Sequence, residues 1–531
     1  MYVDTSYYTK NDKRYTRRLL RESYREDGKV KKRTIASLCN CSEDEIAALK
    51  FALKNKRDIN SLVDLKSIAD VSVQQGKSYG ALVIIKSIAD KLGITAALGK
   101  SNNGLLAFWQ IYSRLISQGS RQTSIRLSES HETTFIPNLP SVNEKALYKN
   151  LQWLSDNQVD IETSMWQFSD RAVSNLFLYD VTSSYLEGEQ NELAAYGYNR
   201  DKKKGKKQIV IGLLTDDNGL PVAVRVFDGN TCDTNTFGDQ ITILRDQLKI
   251  KNVVIVGDGG MIKTPQQEFL PEDYSYITSI SKPQIISLIN NNTIQLELFE
   301  TSLCEVESDN VRYIFRRNPV RQKEIRQGRK EKVDVIEQMI SMQNKYLEDH
   351  PKANLEVAVR KVKDRVTSLK ISSWVEVTST DRMLSITEDI EKKTEVEKLD
   401  GCYCIKTDVT SDTKAEVIHS RYKDLIKVEN AFRTMKTGHL DIRPLYLRKT
   451  SHTKGHVFVV MMAYMIEKEL AKMWKSDDRT IAEALQELVA LTTLKIKDIN
   501  NNDVIKLPKP NQICEELFKL ARVKVPDKIL P

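Results

Sequence analysis

Cysteine is scarce in this chain, and the few cysteines form no metal-binding or disulfide pattern. Seven cysteines are spread over 531 residues, with two CxC pairs, Cys39/Cys41 and Cys402/Cys404, and no CxxC pair. A structural zinc site needs four Cys or His ligands at close spacing, and a disulfide scaffold needs a dense, even set of cysteines. The sequence therefore argues against both and indicates a reducing cytoplasm.

Long apolar segments are missing as well. The longest, VFVVMMAYMI at 457–466, is shorter than the roughly 20 residues that span a bilayer. The N-terminus is charged and lacks the apolar stretch of a signal peptide. We therefore predict no membrane association. A chain of this length, with 40% hydrophobic and 29% charged residues, is expected to fold into about three or four domains.

Positive charge exceeds negative charge by a formal +9, and the excess is unevenly placed. Residues 1–34 hold eleven Lys or Arg against five Asp or Glu, which is +6 net, and residues 200–207 (RDKKKGKK) hold six against one. Such clusters are typical of surfaces that bind a polyanion such as nucleic acid. A solvated surface run is the alternative explanation for either cluster taken alone.

The first third of the chain has a basic hairpin followed by helices. Asp27-Gly28 predicts a tight hairpin turn, and SEDEIAALKFALKN at 43–56 has the Ser/Glu spacing of a helix capping box. Residues 60–172 have a mostly helical pattern, with apolar residues repeated at helical spacing. Both helix–turn–helix DNA binding and a plain helical core are consistent with that region.

Strand patterns begin at residue 175. The run NLFLYDVTSSYL predicts a buried strand, and Asp217-Asn218-Gly219 between two apolar runs predicts a hairpin. A helix is expected over 236–248, followed by another buried strand in VVIVGDGGM. Together these elements predict a mixed sheet flanked by helices.

Three acids stand where an unpaired charge is costly. Asp180 interrupts the first strand, and Asp258 ends the later one. Glu429 shares a helical stripe with Tyr422, Leu425, Phe432 and Lys436, which we expect to face the protein. A convergence on divalent metal explains all three acids, because Mg²⁺ prefers carboxylate oxygens. Alone, each would more often be a turn, cap or solvated residue. We interpret Asp217, Asp228 and Asp233 as loop residues.

These stretches resemble the DDE transposases of bacterial insertion sequences, in the branch with an RNase H-like catalytic domain and a Tyr-Arg-Glu-Lys signature. The matching segments are YDVTSSYLEG, VIVGDGGM and YKDLIKVENAFRTMK. The spacing Y-x2-R-x3-E-x6-K falls on Tyr422, Leu425, Glu429 and Lys436, so that Leu425 replaces the signature Arg. Arg421, Lys427 and Arg433 are candidates to replace its phosphate contact.

The resemblance implies that Asp180, Asp258 and Glu429 hold two Mg²⁺ ions, with Mn²⁺ as a possible substitute. These ions would support cleavage of double-stranded DNA at the transposon ends and transfer of the released 3′-hydroxyl into target DNA. A homodimer on DNA follows by analogy. The expected DNA-binding residues come from the helix that carries the signature and from the basic run. They are Tyr422, Arg433 and Lys436 in the helix, and Arg200, Lys202, Lys203, Lys204, Lys206 and Lys207 in the run. Trp374 is a candidate to stack on an extruded base or to be a core residue.

We therefore expect an α/β fold: an RNase H-like mixed sheet flanked by helices, with a β-rich and helical insertion and a mainly helical N-terminal region. The expected domains are a basic hairpin and helix at 1–60, a helical DNA-binding or dimerisation region at 61–172, a catalytic domain at 173–262 and 416–495, an insertion at 263–415 and a tail at 496–531. Two other functions stay open: a metal-dependent nuclease without strand transfer, and an inactive, transposase-derived DNA-binding protein.

Overall fold

In the computed structural model, the chain folds into two compact units. One contains Met1–Lys77 and Thr492–Lys509, and the other contains Ser78–Leu491 and Pro510–Val525. The residues that the structure describes are 1–10, 13–54, 72–168, 175–188, 190–201, 203–295, 297, 299, 303–438, 440–442, 445–497 and 503–528. Elements are numbered below in chain order within these residues. In them, no helix combines the length and apolar character needed to cross a membrane.

The first unit begins with a three-stranded antiparallel sheet, β1–β2–β3 (Tyr2–Lys10, Lys13–Glu26 and Lys29–Ser37). Asp27 and Gly28 join β2 to β3 with φ of 47° and 73°, values that suit a type I′ turn and explain the Asp-Gly pair. Helix α1 (Glu43–Lys54) begins with the expected capping box, in which Ser42 and Glu45 exchange backbone-to-side-chain hydrogen bonds of 2.7 and 3.2 Å.

A second small sheet in this unit joins segments that are distant in the sequence. Strand β4 (Ser72–Ser78) pairs with β15 (Thr492–Lys497), which pairs with β16 (Asp503–Lys506). Neither β4 nor β15 was expected as a strand, because residues 60–172 and 479–494 have helical patterns. The expected tail at 496–531 contains β16 and a helix, Gln512–Leu520.

The second unit is built on one eight-stranded mixed sheet, in the order β10-β11-β14-β9-β8-β5-β6-β7. Strand β5 pairs antiparallel with β6 and parallel with β8. Their bounds are β5 Leu176–Tyr185, β6 Gln208–Asp216, β7 Pro221–Phe227, β8 Val253–Gly257, β9 Tyr274–Ile280, β10 Cys304–Ser308, β11 Val311–Arg317 and β14 Cys402–Thr407. This architecture confirms the predicted mixed sheet flanked by helices.

Helices surround the sheet and form most of the N-terminal part of this unit. Those before β5 are α2 Gly80–Lys91, α3 Ile94–Leu98, α4 Asn102–Ile116, α5 Arg121–Ser130, α6 Glu144–Asp156 and α7 Gln158–Phe168. Those after it are α8 Asp233–Thr242, α9 Thr264–Glu268, α10 Lys282–Asn290, α11 Pro319–Asp349, α12 Leu355–Ser368, α13 Ile390–Lys398, α14 Ala415–Lys423, α15 Ile426–Thr437, α16 Thr450–Met473, α17 Ile481–Ala490 and α18 Gln512–Leu520.

The segment expected to be a separate insertion contributes to the central sheet. Strands β9, β10, β11 and β14 all come from residues 263–415 and extend the sheet beyond β8. Helices α11 and α12 instead pack with the hairpin β12–β13 (Val375–Thr380 and Met383–Glu388) around a small core of their own. Trp374 lies in that core at 3% exposure. A stacking role on DNA is therefore wrong for this conformation, and Trp374 is a packing residue.

The main core holds β5 in place from one face of the sheet. Phe177, Tyr179 and Val181 are buried there together with Phe237 of α8. The Tyr179 hydroxyl donates to the Thr236 carbonyl at 3.3 Å. Gly212 on β6 makes room for this ring, because a Cβ added there would lie 2.3 Å from the Tyr179 hydroxyl. The alternate side chain, Asp180, consequently points to the opposite face, where α15 packs on β5 and β6.

Candidate catalytic site

A cavity of about 720 Å³ lies beside the middle of β5 and the carboxyl end of β8. Asp180, Asp258 and Glu429 all line it. Strands β5 and β8 run parallel, and their last paired residues are Tyr179 and Gly257. Asp180 follows Tyr179 within β5, and Asp258 follows Gly257 just beyond the end of β8. The register therefore places these two acids side by side, although they are far apart in sequence.

Asp180 is the most enclosed of the three acids. It is half-buried within an otherwise buried strand, and its Oδ1 accepts a 2.8 Å hydrogen bond from the Val181 amide. Burial, followed by the charges of Asp258 and Glu429, raises the pKa of Asp180 to about 7, while Val181 and Arg200 oppose the rise. The cavity thus disfavours the ionised form of Asp180 in the absence of a neighbouring cation.

Asp258 is exposed and is held by the turn that follows β8. Its Oδ1 accepts a 2.7 Å hydrogen bond from the Gly259 amide, and its carbonyl accepts from Met261 at 2.9 Å. Gly259 is required because a Cβ there would lie 2.2 Å from the Ser279 carbonyl oxygen on β9. The sharp turn predicted from the two glycines is therefore present.

Glu429 lines the cavity from α15, but it is exposed and not directed into a dry core as the sequence suggested. The expected single helix at 416–437 is two helices, α14 and α15. They are separated at Asp424 and Leu425, where Leu425 N–H bonds the Tyr422 carbonyl at 3.3 Å and Lys427 N–H bonds the Asp424 carbonyl at 2.8 Å. These i→i+3 bonds tighten the turn. Every member of the predicted stripe still lines the cavity.

Asp233 is a cavity residue that the sequence interpretation missed. It was assigned to a loop, yet α8 begins at Asp233, three residues earlier than predicted. Its Oδ2 accepts a 2.5 Å hydrogen bond from Arg200 Nη2, and both residues line the cavity. A Cβ added to Gly260 would lie 3.8 Å from Asp258 Oδ2 and 4.0 Å from Asp233 Oδ2. An Asp in the first turn of a helix is the signal that was available.

Lys436 also lines the cavity, where it forms a buried ion pair. Its Nζ lies 2.6 Å from Asp201 Oδ1 and donates to Thr182 Oγ1 at 3.0 Å. The two charged side chains are 11% and 3% exposed. Asp201 in turn accepts a hydrogen bond from the Tyr185 amide through Oδ2. Lys436 therefore links α15 to β5 through Thr182, two residues after Asp180, and to the loop after β5 through Asp201.

Three more residues from α14, α15 and the turn between them line the cavity: Tyr422, Leu425 and Arg433. Burial and then the three acids raise the pKa of Tyr422 above its ordinary value, and a hydrogen bond with Ser279 opposes this. Arg433 is exposed on the cavity wall. Leu425 supplies an apolar surface at the position of the signature Arg.

The basic run after β5 has two parts in the structure. Arg200 enters the cavity, whereas Lys203, Lys204, Lys206 and Lys207 are not among its lining residues. Lys203 Nζ lies 5.7 Å from the Tyr185 ring centroid, Lys206 pairs with Glu187 at 2.6 Å, and Lys207 lies 6.0 Å from the Tyr196 ring. Lys203 and Lys204 are exposed. Lys202 lies outside the described residues.

The acids of the cavity do not form a preassembled metal cluster. Across the described parts of the chain, no three His, Cys, Asp or Glu side chains are grouped closely enough to hold one ion. The three acids share the cavity and influence one another's charge at a greater separation. Their oxygen-only donor set is nevertheless the type that hard divalent cations prefer.

Comparison with known proteins identifies the class to which this cavity belongs. Residues 171–466, more than half of the chain, match the family described as "Transposase DDE domain", and the matched region contains Asp180, Asp258 and Glu429. The chain therefore belongs to the DDE-domain transposase family. Residues 5–61 match the "IS1634 family transposase, N-terminal domain", so the chain is an insertion-sequence transposase. The expected family is confirmed.

Among solved structures, the chain is similar to a piggyBac transposase synaptic complex with hairpin DNA, determined by cryo-EM. The identity is 10%, the alignment covers 78% of this chain and 82% of that chain, and the TM-score is 0.34. No curated protein matches the chain significantly.

Proposed function

We propose that this transposase cleaves double-stranded DNA at the ends of its insertion sequence and transfers the released 3′-hydroxyl into target DNA. Asp180, Asp258 and Glu429 are its catalytic carboxylates. The observation that supports this proposal is that the three acids line one cavity within the family-matched region. Asp180 is half-buried, and the exposed carboxylates of Asp258 and Glu429 share its cavity. Carboxylates gathered in one cleft, one of them with a raised pKa, favour a functional role.

The residues fit a divalent metal ion, for which we propose Mg²⁺, with Mn²⁺ as a substitute. Transposases of this family generally use divalent metals. The donors would be Asp180, Asp258 and Glu429. Burial and then the charges of Asp258 and Glu429 raise the pKa of Asp180, and a bound cation would favour its ionised form. Because Asp258 and Glu429 are exposed, their side chains are able to adjust to an ion. When bound, such ions supply Lewis acidity and charge neutralisation at the reacting phosphate.

The chain's own basic residues would position the DNA. Arg433 lies exposed on the cavity wall, and an Arg fork suits the two free oxygens of a phosphate. Arg433 is therefore our candidate for the contact that Leu425 is unable to make. Arg200, held by Asp233, would contact a phosphate only if that pair opened. Lys203, Lys204, Lys206 and Lys207 would follow the DNA backbone beyond the cavity.

The proposed test is cleavage of labelled duplexes carrying the inverted repeats that flank the gene, with Mg²⁺, with Mn²⁺ and with a chelator. Asp180→Asn, Asp258→Asn and Glu429→Gln should each lose about a hundredfold to a thousandfold in rate, the scale of a lost electrostatic contribution to the transition state. Asp239→Asn is the matched control, because Asp239 is exposed on α8 and does not line the cavity. Full activity in any of the three variants would remove that residue from the site.

The same reaction separates the alternatives. Joined products with target DNA would identify strand transfer, whereas cleaved ends alone would identify a nuclease. Binding without cleavage under all metal conditions would identify an inactive DNA-binding protein. Two DNA ends must meet for transposition, so we also propose a homodimer on DNA. Light scattering of the complex with end DNA should give the mass of two chains.

A further inference from the structure

A second cavity, separate from the acid-lined one, contains an unusual pair of enclosed arginines. It has a volume of about 280 Å³ and lies where the end of α4, the start of α5, the start of α16 and the segment after α15 meet. Arg114, Arg121 and His456 line it together with Asp441. Tyr446, 71% exposed, also lines it, so the cavity reaches the protein surface.

The two arginines are enclosed without a matching carboxylate contact. Arg114 is 6% exposed, and its Nη1 donates to the Gln118 carbonyl at 3.0 Å. Arg121 Nη2 lies 3.2 Å from His456 Nδ1, and the buried Arg121 Nε has no hydrogen-bond partner in the described structure. Asp441 lines the same cavity and acts on Arg114 through its charge, but no described acid lies within ion-pairing distance of either guanidinium. Buried charges are normally paired, and buried donors are normally satisfied.

The electrostatics agree with this geometry. Burial and Arg121 lower the pKa of Arg114 to about 9, and Asp441 opposes the shift. Burial also lowers the pKa of Arg121 to about 10. His456 is buried, and its pKa is lowered well below the ordinary value by burial and by both arginines, so the ring is neutral. Because Arg has only donors, His456 Nδ1 accepts the hydrogen bond from Arg121.

Surrounding backbone adds to the positive character of the cavity. Ser120 and Arg121 line it, and they begin the ten-residue helix α5, whose N-terminal amides carry partial positive charge. We propose that this cavity binds a phosphate-class oxyanion through Arg114, Arg121 and the first turn of α5. The charge of the two guanidinium groups, which Asp441 offsets only in part, and the buried Arg121 Nε without a hydrogen-bond partner among the described residues are the features that this ligand satisfies.

The position of the cavity favours a DNA phosphate as the ligand. Leu445 lines the cavity, and its carbonyl accepts a 3.3 Å hydrogen bond from the Glu187 amide, just after β5. The cavity wall is therefore attached to the strand that carries Asp180. DNA seated at the acid-lined cavity would pass near it. This assignment of the source rests on the proposed function, whereas oxyanion binding itself does not.

Thermal unfolding tests oxyanion binding directly. The melting temperature should rise in sodium phosphate relative to sodium chloride at equal ionic strength. Arg121→Gln should remove most of that rise. Arg126→Gln is the matched control: it removes the same charge from the same helix at an exposed position that does not line the cavity. In chloride, Arg121→Gln should be at least as stable as the wild type, because it removes a half-buried guanidinium that has a buried, unsatisfied Nε and lies close to Arg114. A purely structural arginine would give the opposite result.

The source is identified from the salt dependence of binding to duplex DNA. If a DNA phosphate occupies the cavity, Arg121→Gln reduces the slope of log affinity against log salt by about one, and Arg126→Gln leaves it unchanged. A phosphate effect with an unchanged DNA slope identifies a free anion. Equal phosphate effects in all three proteins, or no effect together with an unchanged slope, would overturn the proposal. If Arg121→Gln does not fold, tungstate soaked into wild-type crystals decides: anomalous density in the cavity supports the site, and its absence refutes it.

Discussion

Replacement of Lys436 by methionine separates a structural role from a DNA-contacting one. The signature resemblance makes Lys436 a phosphate contact, but in the structure its ammonium is buried against Asp201 and Thr182. Methionine preserves the length of the side chain and removes the charge. Asp201, whose side chain is 3% exposed, then remains buried without this partner.

The expected loss of stability is about 3–5 kcal/mol, the cost of breaking a buried ion pair by removing one member. The double variant Asp201→Asn/Lys436→Met should recover much of this loss, because no buried charge then remains. Lys423→Met is the matched control. Lys423 lines the same cavity but is exposed, so its loss should change stability by no more than about 0.5 kcal/mol.

Urea denaturation followed by tryptophan fluorescence and circular dichroism measures these differences, and DNA affinity is measured on the folded proteins. If Lys436→Met unfolds at the same urea concentration as the wild type while its DNA affinity falls, the ion pair is unimportant and Lys436 contacts DNA directly. If the double variant is no more stable than Lys436→Met, the loss does not arise from the Asp201 carboxylate that the substitution deprives of Lys436.

Three further outcomes are expected. Burial raises the pKa of Glu467 to about 7, so the folded state retains a proton that the unfolded state loses, and stability falls by up to about 3 kcal/mol between pH 4.5 and 7. Glu467→Gln should remove this fall; equal pH dependence in melting scans would contradict it. Gly259→Ala should cost about 1–3 kcal/mol and slow DNA cleavage, because its Cβ collides with the Ser279 carbonyl; an unchanged melting temperature would refute this. Trp374→Ala should cost about 3–5 kcal/mol and make α11–β13 sensitive to protease, whereas resistance equal to the wild type would exclude a core role.

Local sequence was sufficient where the signal depends on neighbouring residues. Asp27-Gly28 and Asp217-Asn218-Gly219 predicted their hairpins. Asp27, Gly28 and Gly219 have the left-handed backbone angles that favour Gly, Asn and Asp. Ser42 and Glu45 predicted the start of α1 through a capping box. The apolar run around Asp180 predicted β5, since a strand covered on both faces must be apolar at nearly every position.

Local sequence patterns did not predict strands that form by pairing with distant segments, because the same residues have helical spacing. Strand β4 exists because it pairs with β15, more than 400 residues away in sequence, and no local pattern contains that information. The strands from 263–415 joined the central sheet for the same reason. The boundaries of the expected domains stay a prediction.

The sequence by itself identified the candidate site residues: three acids in strand, strand and helix contexts, and a basic run between them. Only the tertiary structure decided which side chains lie beside these residues and pair with them. The parallel register of β5 and β8 set Asp180 beside Asp258, an earlier helix start brought Asp233 to Arg200, and Lys436 was drawn into a pair with Asp201. Residue identity fixes charge and donor type, whereas distance, burial and pairing depend on contacts between segments that are remote along the chain.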